Sequence, residues 1–218
     1  MVSRLSGLNR ALIPAIPTWF SRSENGYNMN MISNRKYVNA LIKEPIAGLA
    51  VLVHTGRGNF LDEFEKKQYL KDIVEICHDK GKIVITGVSC LGDAMLAKNT
   101  GVDTVLIFPN RNQLDGLHDP ERKTKICEYH DEIMTIHDSG ILFLLYEETS
   151  VGILYSKDEL SQLLDIKGIE GVKFALLSNF EQYEDLLWHI SENHRETAIF
   201  TGEDRMFGES LEKSRILP

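Results

Sequence analysis

The chain has 218 residues, of which 43% are hydrophobic and 26% are charged, and it carries a formal net charge of -8. An acidic chain of this kind lacks the basic stripe of a general nucleic-acid-binding protein, so we expect no nucleic-acid partner. No apolar run approaches the roughly 18 residues that a membrane helix needs, and the short, proline-broken apolar run near the start is not typical of a signal peptide. We therefore expect no membrane partner.

The three cysteines are Cys77, Cys90 and Cys127, an odd number without C-x-x-C spacing. This pattern argues against a disulfide framework and a structural zinc site, and it fits a reducing, cytoplasmic location. A chain of this length can bury a sizeable core without either. No linker or low-complexity stretch divides it, so we predict one domain over residues 1–218.

Apolar, strand-like runs alternate with helical patterns along the chain. The first run is a short apolar segment, residues 11–20, interrupted by Pro14 and Pro17. Continuous apolar runs then predict strands over residues 46–53, 82–88, 102–110, 141–146, 169–177 and 197–202. Helical spacing predicts helices over residues 34–44, 61–81, 90–101, 120–140, 156–166 and 179–193, and the segment from residue 203 allows one more.

End signals support several of these helices. Gly81 and Gly101 stand where two helices should end, and Pro120 stands at the start of a third. Ser156 and Glu159 have the S-x-x-E spacing of a capping box, which predicts a helix start at that point.

About seven strands that alternate with helices indicate an α/β fold. Strands that are apolar throughout are typical of parallel sheets that are buried on both faces. The pattern leaves two architectures open, a doubly wound open sheet and a TIM-type barrel, and periodicity alone does not separate them.

Functional groups gather at the carboxyl ends of the strands in either architecture. Lys173 is the most informative residue there, because it interrupts the otherwise apolar run over residues 172–177. Burial lowers the pKa of an amine and leaves the neutral nucleophile that forms a Schiff base with a carbonyl. A lysine that snorkels to water from a strand end is the alternative interpretation.

Three further positions lie at strand ends. Tyr146 ends the strand over residues 141–146, where a phenol can relay a proton to or from a carbinolamine, although an aromatic core residue fits the same pattern. Thr55 and Gly56 offer a hydroxyl and backbone N–H groups that can hold a carboxylate, although a plain turn fits equally well. His54 is placed for a ligand role, but one histidine does not make a metal site.

No other motif points to a different chemistry. The Gly56-x-Gly58 spacing lacks the third glycine of a dinucleotide fingerprint, and no Walker lysine follows it. His130 and His137 lie seven residues apart on one predicted helix, and we expect both to face solvent. The sequence contains no H-E-x-x-H pattern and no G-x-S-x-G elbow, so we predict no metal and no cofactor.

In their shared order, seven segments resemble the dihydrodipicolinate synthase and N-acetylneuraminate lyase family of class I aldolases. The likeness runs from residue 11 to about residue 210. The segments, each with the family feature that it resembles, are PAIPTWF (P-A-x-x-T-P-F), LAVLVHTGRGNFLDEFEKKQ (a strand and G-[ST]-T-G-E loop), KIVITGVS (a strand ending in A-G-V), GVDTVLIFPN (G-A-D-x-V-L-V-x-P-P), ILFLLY (the strand ending in the family tyrosine), GIEGVKFALLSNFEQYEDLL (the G-I-x-G-I-K segment with the Schiff-base lysine) and IFTGED (G-x-D).

The resemblance implies a TIM (β/α)8-type barrel and a lyase that acts on pyruvate or a related 2-oxo acid. Lys173 would form the imine and Tyr146 would relay protons. Thr55, with its neighbours His54 and Gly56, would hold the carboxylate of the 2-oxo acid. The enamine would attack an aldehyde, or a sugar acid would be cleaved by the reverse reaction. Family members are commonly dimers or tetramers, so we expect a homo-oligomer.

The sequence departs from the family pattern in ways that leave alternatives open. Val53, His54 and Arg57 replace a loop glycine, a hydroxyl residue and a glutamate. The stretch over residues 149–152 lacks the arginine that binds the second substrate's carboxylate, which argues against aspartate semialdehyde. A non-catalytic ligand-binding relative is therefore one alternative. The family's eighth strand and C-terminal helices are not recognisable, so an inactive, truncated barrel is another.

Overall fold

A computed structural model of the chain describes residues 5, 11–24, 26–114, 116–145, 152–176, 180–202 and 207–215. Its strands are β1 (Phe20–Ser23), β2 (Gly26–Met29), β3 (Gly48–Val51), β4 (Ile83–Val88), β5 (Thr104–Ile107), β6 (Gly140–Leu145), β7 (Ile169–Ala175) and β8 (Ala198–Thr201). Its helices are α1 (Met31–Leu41), α2 (Glu63–His78), α3 (Leu91–Thr100), α4 (Glu121–Ile136), α5 (Lys157–Leu164), α6 (Phe180–Asn193) and α7 (Phe207–Arg215).

The strands form two sheets. β1 and β2 pair antiparallel as a hairpin, and β3 to β8 form a parallel sheet in the order β3-β4-β5-β6-β7-β8. One helix follows each of these six strands, α2 after β3 and so on to α7 after β8. Strands paired in chain order with a helix after each are the arrangement of a TIM-type barrel, so the predicted fold class is confirmed. None of the helices among the described residues is long and apolar enough to cross a membrane.

The apolar segment over residues 11–20 does not form a regular strand. Ala15 makes a single parallel bridge with Ala50 of β3, in which the Ile16 N–H donates to the Ala50 carbonyl (3.0 Å) and the Ala50 N–H donates to the Pro14 carbonyl (2.9 Å). Prolines stand on both sides of Ile16 and Ala15 and have no N–H to donate, so the pairing ends there. The chain then enters the β1–β2 hairpin, which the apolar pattern does not predict.

The chain divides into two compact units, Met1–Leu106 and Ile107–Pro218. In the first unit, α2 contacts α1, α3 and β4. Each unit contains one of the two tryptophans: Trp19 lies edge-on to Tyr37 at a ring separation of 6.0 Å, and Trp188 lies on α6. The organisation of the whole chain as one domain stays a prediction.

Capping residues fix where the helices of the first unit begin and end. Asn30 accepts a hydrogen bond from a backbone N–H in the first turn of α1, so this helix begins before the predicted residue 34. Asp62 and Glu65 form a capping box at the start of α2. Gly101 ends α3 in the left-handed conformation (φ 81°), as its position predicts.

The second unit has a core between its strands and its helices. Alternate residues of β6 and β7 face this core, because successive side chains of a strand point to opposite faces. The predicted capping box of Ser156 and Glu159 is present at the start of α5. The strand residues of the core are Leu142, Leu144, Val172 and Phe174, and the helix residues that pack with them include Leu160, Leu163, Tyr183 and Leu187.

Candidate active site

Lys173 lies on the face of β7 opposite to the helix-facing core. Its neighbours in the chain, Val172 and Phe174, are fully buried in that core, so strand alternation directs Lys173 to the other face. The parallel registers pair Lys173 with Phe143 of β6 on one side and with Phe200 of β8 on the other. The lysine is therefore set between two aromatic residues in the sheet.

The amine of Lys173 contacts an aromatic ring. Its Nζ lies 4.8 Å from the centre of the Phe143 ring, and the side chain is half-buried. Phe108 meets Phe143 edge-on, with 5.0 Å between ring centres and an interplanar angle of 89°. This contact fixes the orientation of the Phe143 ring, whose face attracts a cation. The amine thus lies beside an aromatic surface, and Lys173 makes a further interaction as well.

Gly202, directly after β8, leaves room for this amine. A Cβ at Gly202 would lie 2.7 Å from Lys173 Cε and 3.4 Å from its Nζ. The Gly202 N–H donates to the Phe174 carbonyl (2.8 Å), so the backbone at this point is tied to β7. Any side chain at residue 202 would therefore displace the end of the lysine.

The segment after β3 folds tightly onto itself. Leu52 is buried with a left-handed φ of 51°, a conformation that is strained for a branched side chain. A Cβ at Gly56 would lie 2.8 Å from the Leu52 nitrogen, and a Cβ at Gly58 would lie 2.3 Å from the Leu52 carbonyl oxygen. Only glycine fits at these two positions, so the loop has a single compact path.

His54 and Thr55 are exposed at the outside of this loop, whereas Gly56 is buried. The Arg57 N–H donates to the His54 carbonyl (3.3 Å) and closes the turn. In the part of the chain that the structure describes, the backbone N–H groups of Thr55 and Gly56 donate to no other residue. Adjacent amides that are not used in the fold are suited to hold the oxygen atoms of a carboxylate.

The structure places the predicted site residues in different parts of the chain. His54, Thr55 and Gly56 lie together in one loop of the first unit, and Lys173 lies in the second unit. Tyr146 lies outside the described residues. Sequence reasoning places Gly202 at the end of a strand but does not connect it with Lys173, and it missed Phe143. Both relations depend on the strand register, which apolar runs do not reveal.

The expectation that His130 and His137 face solvent is wrong. Both are buried, with 1% and 2% of their surface exposed. His130 Nδ1 contacts the Ile126 carbonyl (2.8 Å), and the ring packs edge-on against Tyr129 and Tyr155. Burial lowers the pKa of His130 to about 4, so its imidazole is neutral near pH 7.

The described residues contain no group of three or more His, Cys, Asp or Glu side chains that could hold a metal ion. The buried histidines are structural parts of the second unit, because each bonds a backbone carbonyl of its own neighbourhood.

The comparison with models of known protein families finds one family. The model of the dihydrodipicolinate synthetase family matches residues 9–213. No curated protein matches this sequence.

Solved structures of the same fold are similar along nearly the whole chain. An N-acetylneuraminate lyase from Mycoplasma synoviae is 19% identical with a TM-score of 0.71, and the match covers 95% of this chain and 68% of that one. A dihydrodipicolinate synthase from Bacillus anthracis is 20% identical with a TM-score of 0.73, covering 93% and 68%. A dihydrodipicolinate synthase from Acinetobacter baumannii, in complex with pyruvate, is 20% identical with a TM-score of 0.74, covering 93% and 67%. The chain thus spans about two thirds of the length of these structures.

Proposed function

Because the chain belongs to the dihydrodipicolinate synthetase family, we propose that it is a class I aldolase-type lyase that forms a Schiff base with pyruvate or a related 2-oxo acid. The observation that supports this most is Lys173, a lysine within the otherwise apolar run over residues 172–176, with its amine over the Phe143 ring. A second substrate, an aldehyde, or a sugar acid in the reverse direction, completes the reaction.

The proposed reaction begins with attack of the neutral Lys173 amine on the ketone carbon of the 2-oxo acid. Loss of water from the carbinolamine gives the imine, and loss of a C3 proton gives the enamine. The enamine carbon then bonds to the aldehyde carbon, whose oxygen takes up a proton, and hydrolysis of the new imine frees the product and the lysine. Tyr146 is proposed to carry the protons to and from the carbinolamine.

The loop of His54, Thr55 and Gly56 is proposed to hold the carboxylate of the 2-oxo acid. The unused amides of Thr55 and Gly56, together with the exposed Thr55 hydroxyl, support this role. Binding of this kind would orient the ketone without contributing to the chemistry itself.

A non-catalytic ligand-binding protein of the same family is the second candidate. The contact of Lys173 Nζ with the Phe143 ring favours it, because a ring face stabilises the charged ammonium, which is not a nucleophile. Homo-oligomer formation and a cytoplasmic location remain part of the proposal.

Trapping of the imine tests the proposal. Incubation with pyruvate and borohydride should add the mass of one reduced pyruvyl group, and peptide mapping should place it on Lys173. The variant Lys173→Arg should form no adduct, whereas the control Lys167→Arg, at an exposed lysine of the same unit, should react like the natural chain. No adduct with pyruvate or with a panel of other 2-oxo acids would contradict Schiff-base chemistry and favour the second candidate.

A further inference from the structure

Thr18 ties the proposed carboxylate loop to the segment before β1. Its hydroxyl donates a hydrogen bond of 2.7 Å to the Gly56 carbonyl. Gly56 is also enclosed by backbone, since a Cβ there would lie 2.8 Å from the Leu52 nitrogen and 3.1 Å from the Ile16 carbonyl oxygen. The peptide that joins Gly56 to Arg57 is therefore held in one orientation.

This hydrogen bond is part of a longer chain of polar groups. The Gly56 carbonyl that accepts from Thr18 shares its peptide group with the Arg57 N–H, which donates to the His54 carbonyl (3.3 Å). The His54 carbonyl in turn shares its peptide group with the Thr55 N–H, one of the two unused amides. Hydrogen bonds in such a series polarise one another, so the Thr18 hydroxyl strengthens the Thr55 N–H as a donor.

Tyr69 of α2 lies at the other end of this chain. Its side chain has 0% of its surface exposed, and its hydroxyl has no hydrogen-bond partner. Burial raises the pKa of Tyr69, and the Thr18 side chain opposes this rise, so the two hydroxyls are neighbours. The Tyr69 hydroxyl nevertheless makes no hydrogen bond of normal geometry. The phenol therefore remains protonated at neutral pH and is a donor without an acceptor.

The Thr18 oxygen can accept the bond that Tyr69 lacks. A hydroxyl has one hydrogen to donate and two lone pairs to accept with. The Thr18 hydroxyl donates its one hydrogen to the Gly56 carbonyl, and this bond leaves the lone pairs of the Thr18 oxygen available to accept a hydrogen bond. A small shift of the two side chains would complete a series from Tyr69 through Thr18 and Gly56 to the Thr55 N–H.

We propose that Thr18 and Tyr69 are positioning residues for the carboxylate loop, and that Tyr69 donates to Thr18 when a 2-oxo acid carboxylate binds the Thr55 and Gly56 amides. The anion draws charge along the series and strengthens each bond in it. This inference rests on the proposed function, because the loop is its proposed carboxylate site. Neither residue touches the reacting atoms.

Three variants test the pair by the pyruvate concentration that gives half of the maximal borohydride-trapping rate. Thr18→Val should raise this concentration roughly 5- to 10-fold, because it removes one hydrogen bond and leaves the Gly56 carbonyl unpaired. Thr18→Ser keeps the hydroxyl and should stay within about 2-fold of the natural chain. Tyr69→Phe should raise it roughly 3-fold, and all three should leave the maximal trapping rate nearly unchanged because Lys173 is untouched.

Thermal unfolding separates positioning from simple structure. Tyr69→Phe removes a hydroxyl that has no partner in the free protein, so it should not lower Tm although it weakens pyruvate binding. Half-saturation values for Thr18→Val and Tyr69→Phe equal to those of the natural chain would overturn the inference while leaving the proposed function intact. If Thr18→Val does not fold, Tyr69→Phe alone decides.

A second measurement covers the case in which the natural chain traps no imine. Pyruvate should then still raise Tm by binding the loop, and Thr18→Val and Tyr69→Phe should reduce this rise. Such a result would contradict the proposed function and support the positioning pair. Absence of any pyruvate-dependent rise in Tm in the natural chain would overturn the pair itself.

Discussion

Gly202 has no side chain, and the end of the Lys173 side chain lies where one would be. The end of the lysine lies where a side chain at residue 202 would begin, and the Phe143 ring bounds it on another side. The end of the lysine thus lies between the Phe143 ring of β6 and the backbone at Gly202. A nucleophile must meet its carbonyl carbon within narrow limits, so a shift of its end affects reaction before it affects folding.

Gly202→Ala should therefore lower the imine-trapping rate at least several-fold, in line with the cost of a misplaced reacting group. The free energy of unfolding should change by less than about 1 kcal/mol, because the displaced atoms are the end of a flexible side chain. Borohydride trapping and urea unfolding measure the two effects. Gly208→Ala is the matched control, since a Cβ there meets nothing within 4 Å, and equal trapping by both variants would contradict the argument.

His130 makes the stability of the second unit depend on pH. Its pKa in the folded chain is about 4, below the ordinary value of 6.5, because burial disfavours the charged imidazole. Between these two values the unfolded chain binds the proton and the folded chain does not. The folded chain is therefore most stable with respect to this group above pH 6.5, and its free energy of unfolding decreases as the pH falls towards 4.

Lowering the pH from 7 to 5 should reduce the free energy of unfolding by about 2 kcal/mol through this group alone. Urea unfolding of the natural chain and of His130→Phe at both pH values isolates the effect, because other titrating groups contribute equally to both proteins. His130→Phe should lose about 2 kcal/mol less than the natural chain. Equal losses in the two proteins would show that His130 does not titrate in this way.

At the scale of elements, a partly buried ion pair joins α4 to α5. Arg122 of α4 contacts the Glu159 carboxylate and also donates to the Leu154 carbonyl (3.0 Å). The Glu159 side chain is only 2% exposed, and its carboxylate also accepts from the Ser156 N–H (2.8 Å) in the capping box. One carboxylate therefore caps α5 and attaches it to α4.

Arg122→Met should lower the free energy of unfolding by about 3 kcal/mol, because it leaves the Glu159 carboxylate buried without its cation. The double variant Arg122→Met with Glu159→Gln should recover part of this loss, since the amide keeps the capping geometry without a charge. Chemical denaturation of the single and double variants measures both values. A double variant less stable than Arg122→Met would contradict an uncompensated charge as the cause.

The sequence predicts the regular elements well where one physical signal dominates. Continuous apolar runs located β3 to β8, and the S-x-x-E spacing located the start of α5, because strand burial and helix capping are local properties. The segment over residues 11–20 failed as a strand, since its prolines remove the donors that a ladder needs. The prediction that His130 faces solvent was wrong, because helical spacing alone did not reveal that α4 buries this position.

The candidate site is only partly accessible to such reasoning. A lysine within an apolar run is visible in the sequence, and so is a hydroxyl after a strand. The Phe143 and Gly202 contacts of Lys173 follow from strand register, and the Thr18 contact with Gly56 joins residues that are 38 positions apart. Long-range contacts of this kind leave no periodic signal in one sequence.

At the scale of the whole molecule, β8 is the last strand in the order of the parallel sheet. All four of its residues are only half-buried, and Phe207 and Leu211 of the following α7 are exposed. A partly exposed strand edge beside apolar side chains favours association with a second copy. This surface is the structural support for the proposed homo-oligomer.

Light scattering after size exclusion should give a mass that is a multiple of 24.8 kDa at micromolar concentrations. Dilution should shift the population towards the monomer if the association is reversible, because assembly depends on protomer concentration. A mass of one chain at every concentration would contradict the proposed oligomer.

Each compact unit contains one tryptophan, so intrinsic fluorescence can report the unfolding of each unit. Trp19→Phe leaves Trp188 as the sole indole emitter, and Trp188→Phe leaves Trp19, so fluorescence can follow each unit separately during denaturation. Coincident midpoints would mean that the 218 residues unfold as one cooperative entity. Separated midpoints would mean that the two units, which meet in the sequence after Leu106, unfold independently.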